Sequence, residues 1–224
     1  SAQNHLKNIL IKFFKYYQEK TDLDNLCFSG GVALNSHFNG TLGISKIFKN
    51  IYLPPFAGDS GLAIGSAQLA YALDKKKKPQ PLATPFLGSS YDKESIKKYI
   101  ESVGINYRNL NLQEIIEALE SNKVIGLFSG RSEAGPRALG NRSIIASPRN
   151  SIMKDIVNSK IKFRESYRPF APVILEEKYS EYFESNSCNL NYMSSVVKAK
   201  SKAIAEAPAV VHFDKTSRVQ ICDK

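Results

Sequence analysis

From Phe128 to Pro172 the chain reads FSGRSEAGPRALGNRSIIASPR, a short helical spacer, and then KIKFRESYRPFAP. Between Arg131 and Arg168 nine Lys or Arg stand against three Asp or Glu, a local surplus of six in a chain whose net charge is +10. Arg131, Arg137, Arg142 and Arg149 sit among glycines and prolines, so no helical period can turn them onto one solvated face. Glycines 130, 135 and 140 let the backbone come close to a ligand, and guanidinium groups clamp phosphate or carboxylate oxygens two at a time. The stretch reads as a pocket for a polyanionic small molecule. A basic, loop-rich surface is the alternative that charge alone leaves open.

The 224 residues can make one large domain or two small ones, and 42% apolar content suffices to bury real cores. No apolar run approaches the roughly 20 residues that span a bilayer, and no charged start leads into an apolar segment, so a cytoplasmic location is expected. Cys27, Cys188 and Cys222 are far apart and form no CxxC pair; free thiols are expected.

At the start, Leu6, Ile9, Leu10, Phe13, Phe14 and Tyr17 recur at helical steps and mark one amphipathic face. Leu26, Cys27 and Phe28 read as a strand ending in Ser29-Gly30-Gly31, with a helix beginning between Val32 and Ser36. A strand, glycine turn and helix start make an anion site in many folds, although a lone Gly-Gly turn is also just a turn. A second strand, Ile51 to Leu53, stops at Pro54-Pro55. Small residues at 61, 63, 65, 66 and 67 predict a helix pressed closely on the sheet, with Asp59 ahead of it either as a cap or as a ligand to a metal ion. Residues 74–85, with three prolines and a lysine run, read as a linker between a first unit, 1–73, and a second, 86–224. In the second unit helices are expected over 92–102, on Leu112 to Leu119 and over 151–159. Strands are expected at 105–107, 123–128, 173–175, 192–197, 209–213 and 219–221. The alternation points to an α/β or α+β architecture with ligand chemistry at strand ends.

GGVALN, PPFAGDSGLAIGSA, GRSEAGPRALGNRSIIASPR, KFRESYRPFAPVIL and HFDKTSRVQ, in this order and spacing, closely resemble the O-carbamoyltransferases of nodulation-factor and antibiotic biosynthesis. The resemblance covers nearly the whole chain. It implies part of a domain of the actin-like ATPase superfold, then an α+β domain related to those that make threonylcarbamoyl-adenylate. It implies carbamoyl phosphate and ATP as substrates, carbamoyl-adenylate as the product of the smaller domain, and transfer by the larger one to a hydroxyl, usually on a sugar. By the same resemblance Arg137, Lys162, Arg168 and Arg218 are expected to meet carbamoyl phosphate and the ATP phosphates, with the first three catalytic. Arg131 and Arg142 are further members of that set, and Gly30, Gly31 and Asn35 match a nucleotide-side loop. Asp59 is the one match to a ligand of a divalent metal, iron or magnesium. No segment matching the family's two metal-ligand histidines precedes Ser1, and the family's NTSFN-like loop does not follow Lys224, so a piece of a longer polypeptide is expected. A homodimer is among the assemblies considered; membrane and nucleic-acid partners are not expected. The alternatives carried are a basic nucleic-acid-binding module, favoured by charge and the aromatic content, and a structural half that needs a missing N-terminal segment.

Overall fold

A computed structural model describes residues 1–80, 82 and 84–223, so Pro81 and Ala83 of the expected linker, and Lys224, lie outside the described residues. The architecture is mixed α/β. Helix α1 (Ala2–Thr21) begins where Ser1 accepts from the Asn4 amide, and it ends at Asp22 in the left-handed region. It sends Phe14 inward, with Leu10 and Ile11 packed beside it. Strand β1 (Asn25–Cys27) pairs in parallel with β2 (Asn50–Tyr52). Between them lie a 3-10 turn, Gly31–Leu34, and helix α2 (Ser36–Ile44), whose first turn is capped by the Asn35 side chain accepting from the Phe38 amide at 3.0 Å.

The sequence distance closed by the core is long. Phe14, Phe38, Leu42, Phe48, Ile51 and Leu53 share one buried cluster with Phe183, Cys188, Leu190, Val197, Ala203 and Val219. Two glycines of α2 make that approach possible. A Cβ on Gly40 would lie 2.4 Å from the Val196 carbonyl oxygen, and one on Gly43 would lie 1.9 Å from Asn186 Oδ1. Asn189 then completes the far edge of β2. Its Oδ1 accepts from the Leu53 amide at 2.7 Å and its Nδ2 donates to the Leu53 carbonyl at 3.1 Å. Each buried backbone group along this edge thereby keeps a partner.

Helix α3 (Leu62–Lys75) departs from expectation. None of its residues is buried, Gly65 faces open space, and Leu69 and Leu73 are 61% and 71% exposed. The small residues there do not press on the sheet, because the described strands β1 and β2 are covered instead by α2 and by residues 183–197. Helix α3 runs through Lys75, past the expected linker start. Helices α4 (Lys93–Ser102) and α5 (Leu112–Glu120) follow, the second closed by a full capping box of Asn111 and Glu114.

Residues 105–107 form no strand. Gly104, at φ +68°, ends the helix in a turn whose last bond runs from the Ile105 amide to the Ile100 carbonyl. Strand β3 (Ile125–Phe128) is antiparallel to β4 (Arg142–Ile145), so four residues read as loop are a strand that pairs Arg142 with Phe128. The expected helix over 151–159 is short α6 (Met153–Ile156) followed by a π-turn, Val157–Ile161. Strand β5 (Val173–Leu175) lies parallel to β8 (Gln220–Cys222), with helix α7 (Glu176–Tyr182) after it. Strand β6 (Val197–Lys198) pairs antiparallel with β7 (Thr216–Ser217), and helix α8 (Ser201–Glu206) lies between them. The expected strand over 192–197 therefore shrinks to its last residue. That over 209–213 is replaced by a 3-10 turn, Pro208–Val210, because Pro208 at its first position fixes φ and brings no amide proton. All three cysteines are free. Among the described residues no helix is long and apolar enough to cross a membrane.

Candidate functional site

The loop between β3 and β4 is organised by an acid. Glu133 Oε1 accepts from the amides of Leu139 and Asn141, each at 2.8 Å, and of Arg142 at 3.1 Å. Partial burial works to raise its pKa, yet these amide bonds prevail and leave the carboxylate below its usual 4.5. The loop also presses on the first unit. Gly135, at φ +96°, has room only for hydrogen where a Cβ would sit 2.8 Å from the Pro55 carbonyl oxygen. On its other side the Ala134 amide donates to the Pro85 carbonyl at 2.7 Å and the Gly88 amide to the Ser132 carbonyl at 2.9 Å.

Two of the expected arginines are spent on this scaffold. Arg142 stacks 3.6 Å above the Phe128 ring, and its nitrogens donate to the carbonyls of Ser129, Asn141, Gly130 and Ser89 at 2.7–3.3 Å. Arg131 donates to the Leu87 carbonyl at 2.9 Å. Arg142 has both Nη groups engaged by carbonyls, whereas Arg131, exposed, uses one nitrogen there.

Arg137 and Arg218 behave differently. Arg218, between β7 and β8, is largely buried, and its Nε has no hydrogen-bond partner. Burial, together with the nearby guanidinium groups of Arg137 and Arg164, lowers its pKa to about 10. Arg137 is half-buried, and burial lowers its pKa too. The register that brings them together comes from Gln220, which is 8% exposed and donates through Nε2 to the Leu139 carbonyl at 2.9 Å, two residues beyond Arg137. Three cations thus come near one another, and none of Arg137, Arg164 or Arg218 forms a described ion pair, although the Glu165 carboxylate, paired with Arg168, also feels the charge of Arg164. Such mutual repulsion in a half-buried place is relieved by an anion.

Arg164 was not among the residues singled out from the sequence. Its place in FRESYRPF offered a signal only as one more cation, and its Nε bond to Asn158, a buried residue upstream, is visible only in three dimensions. Arg168 is exposed and pairs through Nε with Glu165 Oε2 at 2.8 Å, while Lys162 is exposed just past the π-turn. Neither joins the three-guanidinium cluster through any described contact. His212 is half-buried beside it, with its buried Nε2 unpartnered and Nδ1 3.2 Å from Thr216 Oγ1. Burial pulls its pKa below 6.5, against a backbone hydrogen bond at Phe170 and the Asp214 charge, which act the other way.

A cleft of about 910 Å³ is lined mostly by the first unit, through Ser29, Gly30, Tyr52, Asp59 and Gln68, and on one side by Tyr192 of the second. Gly30, at φ +98°, donates its amide to the Ala57 carbonyl at 2.7 Å and Gly31 opens the 3-10 turn beside it. Asn35 is occupied elsewhere, capping α2 and exchanging side-chain bonds with Gln3 at 3.0 and 3.3 Å. Asp59 is exposed in the 3-10 turn Asp59–Gly61 and makes no side-chain cap there. No group of three or more His, Cys, Asp or Glu close enough to hold a metal ion occurs among the described residues. Asp59 alone does not make a metal centre.

Comparison with known proteins accounts for both parts. The family profile described as Carbamoyltransferase N-terminus matches residues 1–68, and that described as Carbamoyltransferase C-terminus matches residues 116–224. Nodulation protein NolO of Bradyrhizobium diazoefficiens is 36% identical over 228 residues, covering 98% of this chain and 42% of the relative. Nodulation protein U of Sinorhizobium fredii is 37% identical over 196 residues, 88% of this chain and 34% of the relative. An uncharacterised protein of Synechocystis is 35% identical over 251 residues, 98% of this chain and 41% of the relative. The chain therefore spans between about a third and two fifths of the length of these curated relatives, and within that span it belongs to the carbamoyltransferase family.

Proposed function

We propose that this chain is part of an ATP-dependent O-carbamoyltransferase, in which the second unit forms carbamoyl-adenylate and the first contributes to passing the carbamoyl group to a hydroxyl of a sugar or related acceptor. The reading takes the first unit as a portion of an actin-like domain and the second as kin to threonylcarbamoyl-adenylate synthases. One observation carries it: from two other segments of the second unit, Arg137 and Arg164 come near enough to the buried, unpartnered Nε of Arg218 for their charges to press on it.

The chemistry needs such a place. Carbamoyl phosphate and ATP are both polyanions, and joining them as carbamoyl-adenylate consumes one water and releases phosphate and pyrophosphate. Converging cations offset the repulsion between the reactants and take up charge on the departing groups. Arg218, buried and free of a carboxylate partner, is suited to the most enclosed phosphate, and Arg137 to bidentate clamping next to it. Lys162 and Arg168, exposed on the mobile-length side chains of the neighbouring segment, supply further cations once an anion is in place; Arg168 then exchanges Glu165 for the ligand. The residues present fit ATP phosphates but not a metal centre, so no step is assigned to a metal.

Calorimetric titration at moderate salt tests the reading. Saturable binding of ATP and of carbamoyl phosphate is expected, reduced by about tenfold or more in Arg137→Ala. Affinity that follows polyanion charge alone and collapses with salt would replace this reading with that of a nucleic-acid-binding module.

A further inference from the structure

The segment that carries Arg164 is not left to find its own conformation. Asn158 lies in the π-turn Val157–Ile161 and is completely buried, as its neighbour Val157 nearly is. From there it holds the downstream loop at four points. Its backbone carbonyl accepts from the Arg164 amide at 3.0 Å, and its Oδ1 accepts from Arg164 Nε at 2.7 Å. Its Nδ2 donates to the Arg168 carbonyl at 3.0 Å and to the Ser166 carbonyl at 3.3 Å. The amide orientation is forced, since two carbonyls require the NH₂ end and a guanidinium requires the oxygen. The Arg164 guanidinium is also seated 4.9 Å from the centre of the Phe170 ring.

Asparagine is suited to this place in a way its near-isosteres are not. Leucine would leave two carbonyls and a guanidinium nitrogen unpaired in a buried place, and aspartate would set a charge against two carbonyl oxygens. Oδ1 takes only Nε, which leaves the two Nη groups of Arg164 for an anion, and a neutral acceptor adds no negative charge of its own, while the neighbouring Glu165 carboxylate is paired with Arg168. Holding Nε also removes in advance much of the rotamer freedom that an arginine loses on binding. A one-residue widening of a helix is a recurrent way of turning such a side chain inward.

We propose that Asn158 is a positioning residue of the anion site, fixing Arg164 through Nε and pinning loop 164–168, so that the third guanidinium is held where Arg137 and Arg218 meet their ligand. The assignment rests on the anion-site reading above. It is tested on the full chain by titrating ATP into Asn158→Asp and Asn158→Leu, each made alone and in an Arg164→Gln background, with thermal unfolding followed in parallel. Each is expected to weaken ATP binding by about tenfold alone and by less than about twofold when Arg164 is already replaced. Equal losses in both backgrounds would mean a merely structural role and overturn the proposal. So would unchanged affinity in Asn158 variants of a chain whose ATP binding still responds to Arg137→Ala, and that result would leave the anion-site reading standing. Absence of ATP binding by the unaltered chain would remove both. A measurement free of any variant is the exchange of the Arg164 Nε proton with solvent. Slow exchange in the ligand-free chain supports the proposal, and exchange as fast as in free arginine overturns it.

Discussion

Arg142 and Arg218 share a residue type and a setting of short strands and turns, yet their side chains are in opposite states. Arg142 lies over Phe128 with four carbonyls around its nitrogens, so it is held and its donors are spent. Arg218 is buried with Nε unpaired and two other guanidinium groups pressing on it. The first arrangement stabilises the apoprotein; the second costs it free energy that a bound anion would return. Stored repulsion of this kind separates a binding cation from a scaffold cation more surely than charge density does.

The sharpest way to break that contrast is Arg218→Met. ATP affinity should fall by about 10- to 100-fold while the unfolding midpoint stays level or rises, since an apolar chain of similar length replaces an unpaired buried cation. A drop in midpoint without loss of affinity would reverse the assignment. Arg142→Ala should do the converse, lowering stability by about 1–3 kcal/mol in chemical denaturation and changing ATP affinity by less than about threefold. Smaller still is Glu133→Gln, expected to cost about 1 kcal/mol at neutral pH through weaker bonds to three amides. Because Glu133 titrates below 4.5 when folded, its stabilisation is present above pH 4.5 and is lost as the pH falls through the folded value. The variant should therefore show a shallower acid loss of stability in denaturation curves taken across that range. At the bottom of the scale, Leu73→Lys on the exposed face of α3 should shift stability by no more than about 0.5 kcal/mol.

Much of the frame was legible beforehand. The strands at 26–28, 51–53, 173–175 and 219–221 follow from short apolar runs with punctuating glycine and proline, and each lies within a residue or two of its observed position. Arg137 and Arg218 could be singled out through resemblance, and the charge of Arg137 is near enough to help lower the pKa of Arg218. What stayed hidden was non-local. Nothing in the run NRSII, residues 141–145, reveals that Arg142 begins a strand, because that depends on Phe128 and its neighbours supplying the partner edge. The inward aim of Asn158 depends on one extra residue in a helical turn, which leaves no periodic trace in four or five positions. The small residues of α3 suggested close packing, yet its apolar residues face outward; periodicity reports a face, not what covers it.

The stitching of residues 14–53 to residues 183–219 also governs when this protein can fold. Leu53 waits for Asn189, 136 positions later, and at ordinary translation speeds that interval is on the order of ten seconds. Until then Phe38, Leu42 and Ile51 lack the part of their cluster that Phe183, Cys188, Leu190, Val197 and Val219 supply, so chaperone occupancy over this segment should fall once residues 183–219 have left the ribosome.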